Sequence, residues 1–302
     1  MPISSEACAA LRLAFGERVL FEEPLSRHSS ARIGGPAEAF LAARSVHDLA
    51  EAAQIAWEYD VPLFILGGGS NILISDAGIR GLVVHNRAEG LHFDGTQVLA
   101  ESGVSTISVA RRSVKRGLAG FEWAAGIPGT IGGAVFGNAG AHGGDMAGVV
   151  VYADVITPEG ERRLSNADLA FEYRSSILKR EPQRAVVLRV LLQLEAGDPD
   201  VLNARLEEFR DYRRRTQPPG ATIGSMFKNP PGDYAGRLID AAGLKGTRIG
   251  GAEISTKHGN FFLNVGDANA SDVRALAELA RREVREQFGV ELELEIELVG
   301  EW

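Results

Sequence analysis

Apolar and polar positions along the chain switch repeatedly between helical spacing and the shorter periods of strands. Residues 1–27 read as an amphipathic helix and a connection, and Ala37 to Ala42 as a strand. Ser45 with Asp48 resembles a capping box, and Val46, Leu49, Ala53, Ala56 and Trp57 follow at helical spacing. The apolar run Leu63-Phe64-Ile65-Leu66 then predicts a buried strand, so strand, helix and strand form a βαβ unit. From Gly81 to about Leu194 the pattern becomes short strands at Leu82–His85, Gln97–Ala100, Val149–Ile156 and Ala185–Leu194, with one helix over 105–118. Asp200 is placed to cap a further helix, with Leu202, Leu206, Phe209 and Tyr212 on one face and Arg213, Arg214 and Arg215 at its cation-favouring end. Beyond the break at Thr216–Gly220 come a helix at 234–242 and strands near 252–255 and 260–264. Ser271 is placed to cap a helix with Val273, Leu276, Ala280, Val284 and Phe288 inward. The last stretch alternates strictly, with Val290, Leu292, Leu294, Ile296 and Leu298 on one face and Glu291, Glu293, Glu295 and Glu297 on the other.

Small residues interrupt this pattern at two places. The run at 63–66 meets Gly67, Gly68, Gly69, Ser70 and Asn71, and Gly126 to Gly133 leads into Ala134-Val135-Phe136-Gly137-Asn138. Without a Cβ, backbone N–H groups can converge on an anion, and Ser70 and Asn71 add side-chain donors. One such loop is as easily a simple turn, whereas two could hold the two phosphates of a dinucleotide. Neither follows the Gly-x-Gly-x-x-Gly or Gly-x-x-x-x-Gly-Lys-Ser/Thr spacing, which disfavours a Rossmann domain or a P-loop ATPase.

Composition narrows the partners. A 302-residue chain can bury a substantial core in two or three domains, and its net charge of −8 argues against non-specific binding to nucleic acid or an acidic membrane. The single cysteine, Cys8, excludes an intrachain disulfide or thiolate cluster, and no His-Glu-x-x-His spacing points to a metal. No run reaches the roughly 18 apolar residues of a membrane span, and the first residues lack a leader pattern, so a cytoplasmic protein is expected.

Several motifs occur in a telling order: Arg32-Ile33-Gly34-Gly35-Pro36, Gly67–Asn71 with Ile79-Arg80-Gly81, Gly126–Gly140, Tyr173-Arg174-Ser175-Ser176, Gly224–Pro230, and Lys257-His258-Gly259-Asn260-Phe261. Each is weak alone. In register, from about residue 28 to the C-terminus, they resemble the UDP-N-acetylenolpyruvoylglucosamine reductases, FAD-dependent, NADPH-using enzymes of peptidoglycan synthesis. The resemblance implies an α+β chain with a two-part FAD-binding module of the vanillyl-alcohol oxidase type: a βαβ unit at 1–80 and an α+β block at 81–197. An α+β substrate domain at 198–302 follows, its last strand able to return to the first part. The short run from Arg174 to Leu194 looks like the type II branch.

By the same resemblance, the catalytic residues are Arg174, Ser225 and Glu295. FAD falls to Gly67, Gly68, Gly69, Ser70, Asn71, Gly126, Pro128, Gly129, Thr130, Gly132, Gly133 and Asn138, and a UDP-sugar enolpyruvyl ether to Tyr173, Lys228, Asn229, His258 and Asn260. This chain reads Glu293-Leu294-Glu295-Ile296-Glu297 where family members often read Glu-Pro-Glu-Val-Arg. Taken singly, these residues have commoner explanations: Arg174 as a surface ion-pair partner, Ser225 as a turn residue, Glu295 as one of four solvent-facing glutamates. The competing functions are a related flavoprotein oxidase with covalent flavin and a non-catalytic nucleotide-binding module.

Overall fold

The computed structural model describes residues 3–180 and 185–302, and resolves two compact units that do not follow chain order. The first takes Met1–Leu20, Ala39–Gly68 and Gly81–Arg213; the second takes Phe21–Glu38, Gly69–Arg80 and Arg214–Trp302. The boundary therefore cuts the first glycine-rich loop between Gly68 and Gly69.

In the first unit the helices Ser5–Phe15 and Val46–Glu58 cover strands of a four-stranded sheet whose order is Val19–Pro24, Pro36–Ala43, Ile79–Asn86, Leu63–Leu66. Ser45 caps the second helix as its pattern predicts, its side chain accepting from Asp48 N at 3.1 Å. Leu63–Leu66 pairs in parallel with Leu82–His85, so another strand separates it from the strand before the helix. Only Leu66 of that run is fully buried; Leu63 and Ile65 are partly buried against the core of this unit. A second sheet is wholly antiparallel, in the order Gly160–Ser165, Val150–Thr157, Val186–Gln193, Gln97–Glu101, Leu91–Asp94. Val98, Val109, Phe121, Trp123, Ile131, Val155 and Val190 fill the core beside it. The stretch on which the type II reading rests includes residues 181–184, which lie outside the described residues.

The second unit holds an antiparallel sheet in the order Ala221–Ser225, Phe261–Asn264, Ala252–Ile254, Arg248–Ile249. The helices Ala235–Ala241 and Ala270–Phe288 pack with it around Phe227, Leu238, Phe262, Leu276 and Val284. The long helix is capped by Asn269 in a capping box with Asp272, not by Ser271. Ser271 lies in the first turn, where its N–H and hydroxyl donate to Asp76 at 3.0 and 2.8 Å, and Ala270 N donates to the same carboxylate at 2.7 Å. The helix Pro199–Thr216 likewise begins one residue before Asp200, whose N–H is received by Asp198 Oδ1 at 2.9 Å. The alternating tail is not one strand. Leu294 makes a single bridge to Phe227, the chain bends at Glu295 and Ile296, and only Glu297–Val299 is a strand, parallel to Ile72–Ile74. That bend leaves Leu298 exposed.

Candidate active site

In the first unit the two glycine-rich loops touch. A Cβ on Gly67 would stand 2.6 Å from Thr130 Oγ1, and one on Gly68 would stand 3.0 Å from Gly129 Cα. These glycines therefore admit the other loop, a role distinct from admitting a ligand. Buried Thr106 pins the second loop from below, its N–H donating to Gly129 O at 3.2 Å and its hydroxyl to Ile127 O at 2.6 Å, on either side of Pro128. Nothing in the helical pattern around Thr106 distinguishes it. Thr130 caps the short helix Ile131–Phe136 by accepting from Gly133 N at 3.4 Å. The N–H groups of Ile131 and Gly132 donate to Val104 O and Ser102 O at 2.9 and 2.8 Å, and a Cβ on Gly132 would press on Ser102. Gly133 differs: a Cβ there would meet nothing nearer than Thr130 Oγ1 at 3.6 Å. Gly126 makes room for the Arg213 side chain, so Arg213 is held against the loop and not simply offered to a helix end. Burial lowers its pKa.

Asn138, assigned to FAD by the sequence, has its amide engaged within the protein. Nδ2 donates to Glu172 O at 2.9 Å, and Oδ1 accepts from Ala147 N at 3.0 Å. Tyr173 and Arg174 form the tip of a tight hairpin closed by Glu172 and Ser175; Tyr173 is exposed and its ring lies 5.3 Å from the Arg174 guanidinium carbon.

The second unit gathers Asn71, Ser225 and Glu295 from three distant segments. Asn71 Nδ2 donates to Glu295 O at 3.2 Å, and Asn71 O accepts from Glu297 N at 3.0 Å. Glu295 N donates in turn to Met226 O at 2.9 Å. Ser225 ends a strand that carries an extra residue opposite Phe261–Leu263, with Gly224 at φ +80° supplying the left-handed backbone that such a bulge needs. Beyond the bulge Ser225 stays paired with Phe261, and Met226 N donates to Asn260 O at 2.8 Å. Burial separates the glutamates in part: Glu291 is exposed beside Arg281 and Glu293 is 72% exposed and paired with Lys228, whereas Glu295 at the bend and Glu297 in the strand after it are both half-buried.

A cavity of about 380 Å³ opens beside Ser225, lined also by Asn229, Lys245, Lys257, His258 and Asn260. Asn229 Oδ1 accepts from Ala235 N at 3.2 Å. Asn260 is a strut: its Oδ1 accepts from Phe227 N at 2.9 Å and its Nδ2 donates to Phe227 O at 2.7 Å. Lys257 Nζ donates to Arg214 O at 2.6 Å. His258 Nδ1 accepts from Asn260 N at 3.2 Å, which places the proton of the neutral ring on Nε2. Burial, then the charge of Lys245, lowers its pKa and favours that neutral form. A second cavity of about 580 Å³ is lined by Ser26, Arg27, Ser29, Ser30 and Arg32, and Ser30 N donates to Gly69 O at 3.0 Å. The sequence marks this stretch only through the motif that begins at Arg32. Among the described residues no cluster of His, Cys, Asp and Glu is arranged to hold a metal, and no helix is long and apolar enough to cross a membrane.

Two family models match the chain: an FAD binding domain over residues 37–165, and the UDP-N-acetylenolpyruvoylglucosamine reductase C-terminal domain over 216–299. The UDP-N-acetylenolpyruvoylglucosamine reductase of Rubrobacter xylanophilus is 47% identical over 93% of this chain and 95% of its own. That of Bacillus subtilis is 40% identical over 94% of each. The crystal structure of the Thermus caldophilus reductase superposes with a TM-score of 0.79 at 34% identity, covering 93% of this chain and 97% of that one. The chain belongs to the UDP-N-acetylenolpyruvoylglucosamine reductase family and is an FAD-dependent oxidoreductase that reduces UDP-N-acetylglucosamine enolpyruvate for peptidoglycan synthesis.

Proposed function

We propose that NADPH is the reductant, and that Arg174, Ser225 and Glu295 carry the reduction of the enolpyruvyl ether. The observation behind this reading is the convergence of Asn71, Ser225 and Glu295 through the Asn71–Glu295 and Glu295–Met226 hydrogen bonds, with Glu295 half-buried at the bend. The loops suit FAD because they combine backbone held close by glycine with an open approach at Gly133. Gly67–Asn71 and Gly129–Gly133 would hold the pyrophosphate.

When bound, FAD would supply the hydride chemistry that the enolpyruvyl group needs at its terminal carbon. Negative charge then builds on the adjacent carbon and its carboxylate. Arg174 meets that charge with a planar, bidentate donor, and Glu295, when protonated, adds a hydrogen bond. Ser225 donates the proton to the carbon; a hydroxyl is a poor acid in water, so its contribution comes from placement and from a proton source behind it. Lys228, Asn229 and the neutral His258 would bind the UDP-sugar, with Tyr173 against it, while Asn260 shapes the Ser225–Lys228 segment.

The functional division follows the chain, with FAD-binding parts at 1–80 and 81–197 and the substrate part at 198–302. The return of Glu297–Val299 to Ile72–Ile74 supports the link between the last segment and the first. A single cysteine suits a reducing, cytoplasmic setting. Purified protein should oxidise NADPH only when UDP-N-acetylglucosamine enolpyruvate is present. Equal consumption without that substrate, or none with it, contradicts the reading.

A further inference from the structure

Arg174 stands in an unusual backbone conformation. Glu172 and Ser175 exchange both backbone hydrogen bonds, at 3.0 and 3.1 Å, leaving Tyr173 and Arg174 as the two turn residues. Arg174 has φ +55° whereas Tyr173 is not in the positive-φ region, the pattern of a type II turn whose second central position ordinarily takes glycine or asparagine. A long side chain keeps such a conformation only where its surroundings over-determine it.

Those surroundings come from the end of the helix that begins at the second glycine loop. Asn138 Nδ2 donates to Glu172 O at 2.9 Å, and Ser176 Oγ, fully buried, donates to Phe136 O at 2.7 Å. The turn is thus gripped just before and just after its tip. Asn138 is itself fixed, with φ +42°, 4% exposure and its Oδ1 accepting from Ala147 N. Arg180 adds a clamp at the base of the hairpin, its guanidinium 3.3 Å from both Glu172 Oε1 and Ser175 Oγ.

We propose that Asn138 and Ser176 are positioning residues for Arg174, acting by holding the 172–176 turn against the helix Ile131–Phe136. The inference rests on the reading of Arg174 as catalytic, and it assigns Asn138 to the turn in place of the flavin. A guanidinium aimed at a developing charge must be placed to within about 1 Å, and misplacement on that scale costs up to about 10²-fold in rate.

The test uses the flavin-loaded enzyme and stopped-flow absorbance. Ser176→Ala removes one oxygen, and Asn138→Gly removes the amide while tolerating the positive φ; either alone tests the idea if the other folds poorly. Each should retain bound FAD, leave flavin reduction by NADPH within about twofold, and slow reoxidation by the enolpyruvyl substrate about tenfold. Placed on Arg174→Ala, each should add less than about a twofold further loss, because its effect runs through Arg174. Full additivity on Arg174→Ala, loss of flavin, or slowing of the NADPH step would make these residues structural and overturn the proposal. Unchanged reoxidation in both variants, with Arg174→Ala strongly impaired, would overturn it and leave the role of Arg174 standing. If Arg174→Ala itself reoxidises normally, the reading of Arg174 fails and the proposal with it.

Discussion

At the scale of single residues, glycines that look alike in sequence do different work. Gly68 has Gly129 backbone 3.0 Å from where a Cβ would stand, and backbone cannot move aside as a flexible side chain can. A Cβ on Gly133 would make only an ordinary contact with Thr130 Oγ1 at 3.6 Å, and the residue sits in a helical turn, where alanine is the better helix former by up to about 1 kcal/mol. Gly68→Ala should therefore lower the Tm of flavin-free protein, whereas Gly133→Ala should leave it unchanged or raised and weaken FAD binding at least about tenfold, since a methyl then occupies the anion approach. Full flavin occupancy in Gly133→Ala, measured by absorbance after gel filtration, would remove that turn from the cofactor site. The glutamates invite the same contrast. Glu293 lies in an exposed pair with Lys228, so Glu293→Gln should change turnover by less than about threefold. Glu295→Gln keeps a hydrogen-bond donor and loses the exchangeable proton, and should lower kcat about 10²-fold with little change in KM. The reverse ranking in steady-state kinetics would shift the catalytic role along the chain.

Among elements, the strands and helices with strong periodicity were legible, and the irregular ones were not. Leu63–Leu66 and the helix after Ser45 follow directly from pattern and cap. The tail misleads because five alternating apolar positions describe a strand, yet the Glu295–Ile296 bend arises from hydrogen bonds to Met226 and Asn71, residues far away in sequence. The bulge at Gly224, the strut at Asn260 and the pin at Thr106 are invisible for the same reason: each is defined by a partner that local pattern cannot name. The arginine cluster at 213–215 reads as helix-end charge, but Arg213 is drawn against Gly126 by packing.

The same helix carries Phe209, on which His142 stacks with ring centroids 4.2 Å apart and planes 9° from parallel. Burial, then the Arg213 charge, lowers the His142 pKa, with Glu208 opposing. The unfolded chain thus binds this proton more readily than the native one. Stability is unaffected above the ordinary value of 6.5, begins to fall as pH drops through it, and has lost the whole contribution once pH is below the depressed native value. His142→Phe preserves a stacked ring and removes the titration. Its Tm should decline less than the wild type's between pH 7 and pH 5, and parallel declines in calorimetry would show that His142 is not a source of acid sensitivity.

For the whole molecule, the compact units interleave along the chain. Chain order suggests successive domains, whereas each compact unit is assembled from separated segments, with the division passing through Gly68 and Gly69. Contiguous composition cannot reveal such interleaving, because the segments at Phe21–Glu38 and Gly69–Arg80 join Arg214–Trp302 through tertiary hydrogen bonds, a parallel strand pair and a shared core that takes in Ala31, Ile33 and Leu73. The central claim is that Ser225 supplies the proton in the substrate half of the reaction. Stopped-flow absorbance of flavin in Ser225→Ala, which deletes one oxygen at the end of a well-packed strand, tests it most directly. Bleaching by NADPH should remain within about twofold of wild type, and reoxidation by UDP-N-acetylglucosamine enolpyruvate should slow by at least about 10²-fold, the low end for general-acid catalysis. Slowed bleaching with normal reoxidation would contradict the account and make Ser225 a residue that places the nicotinamide.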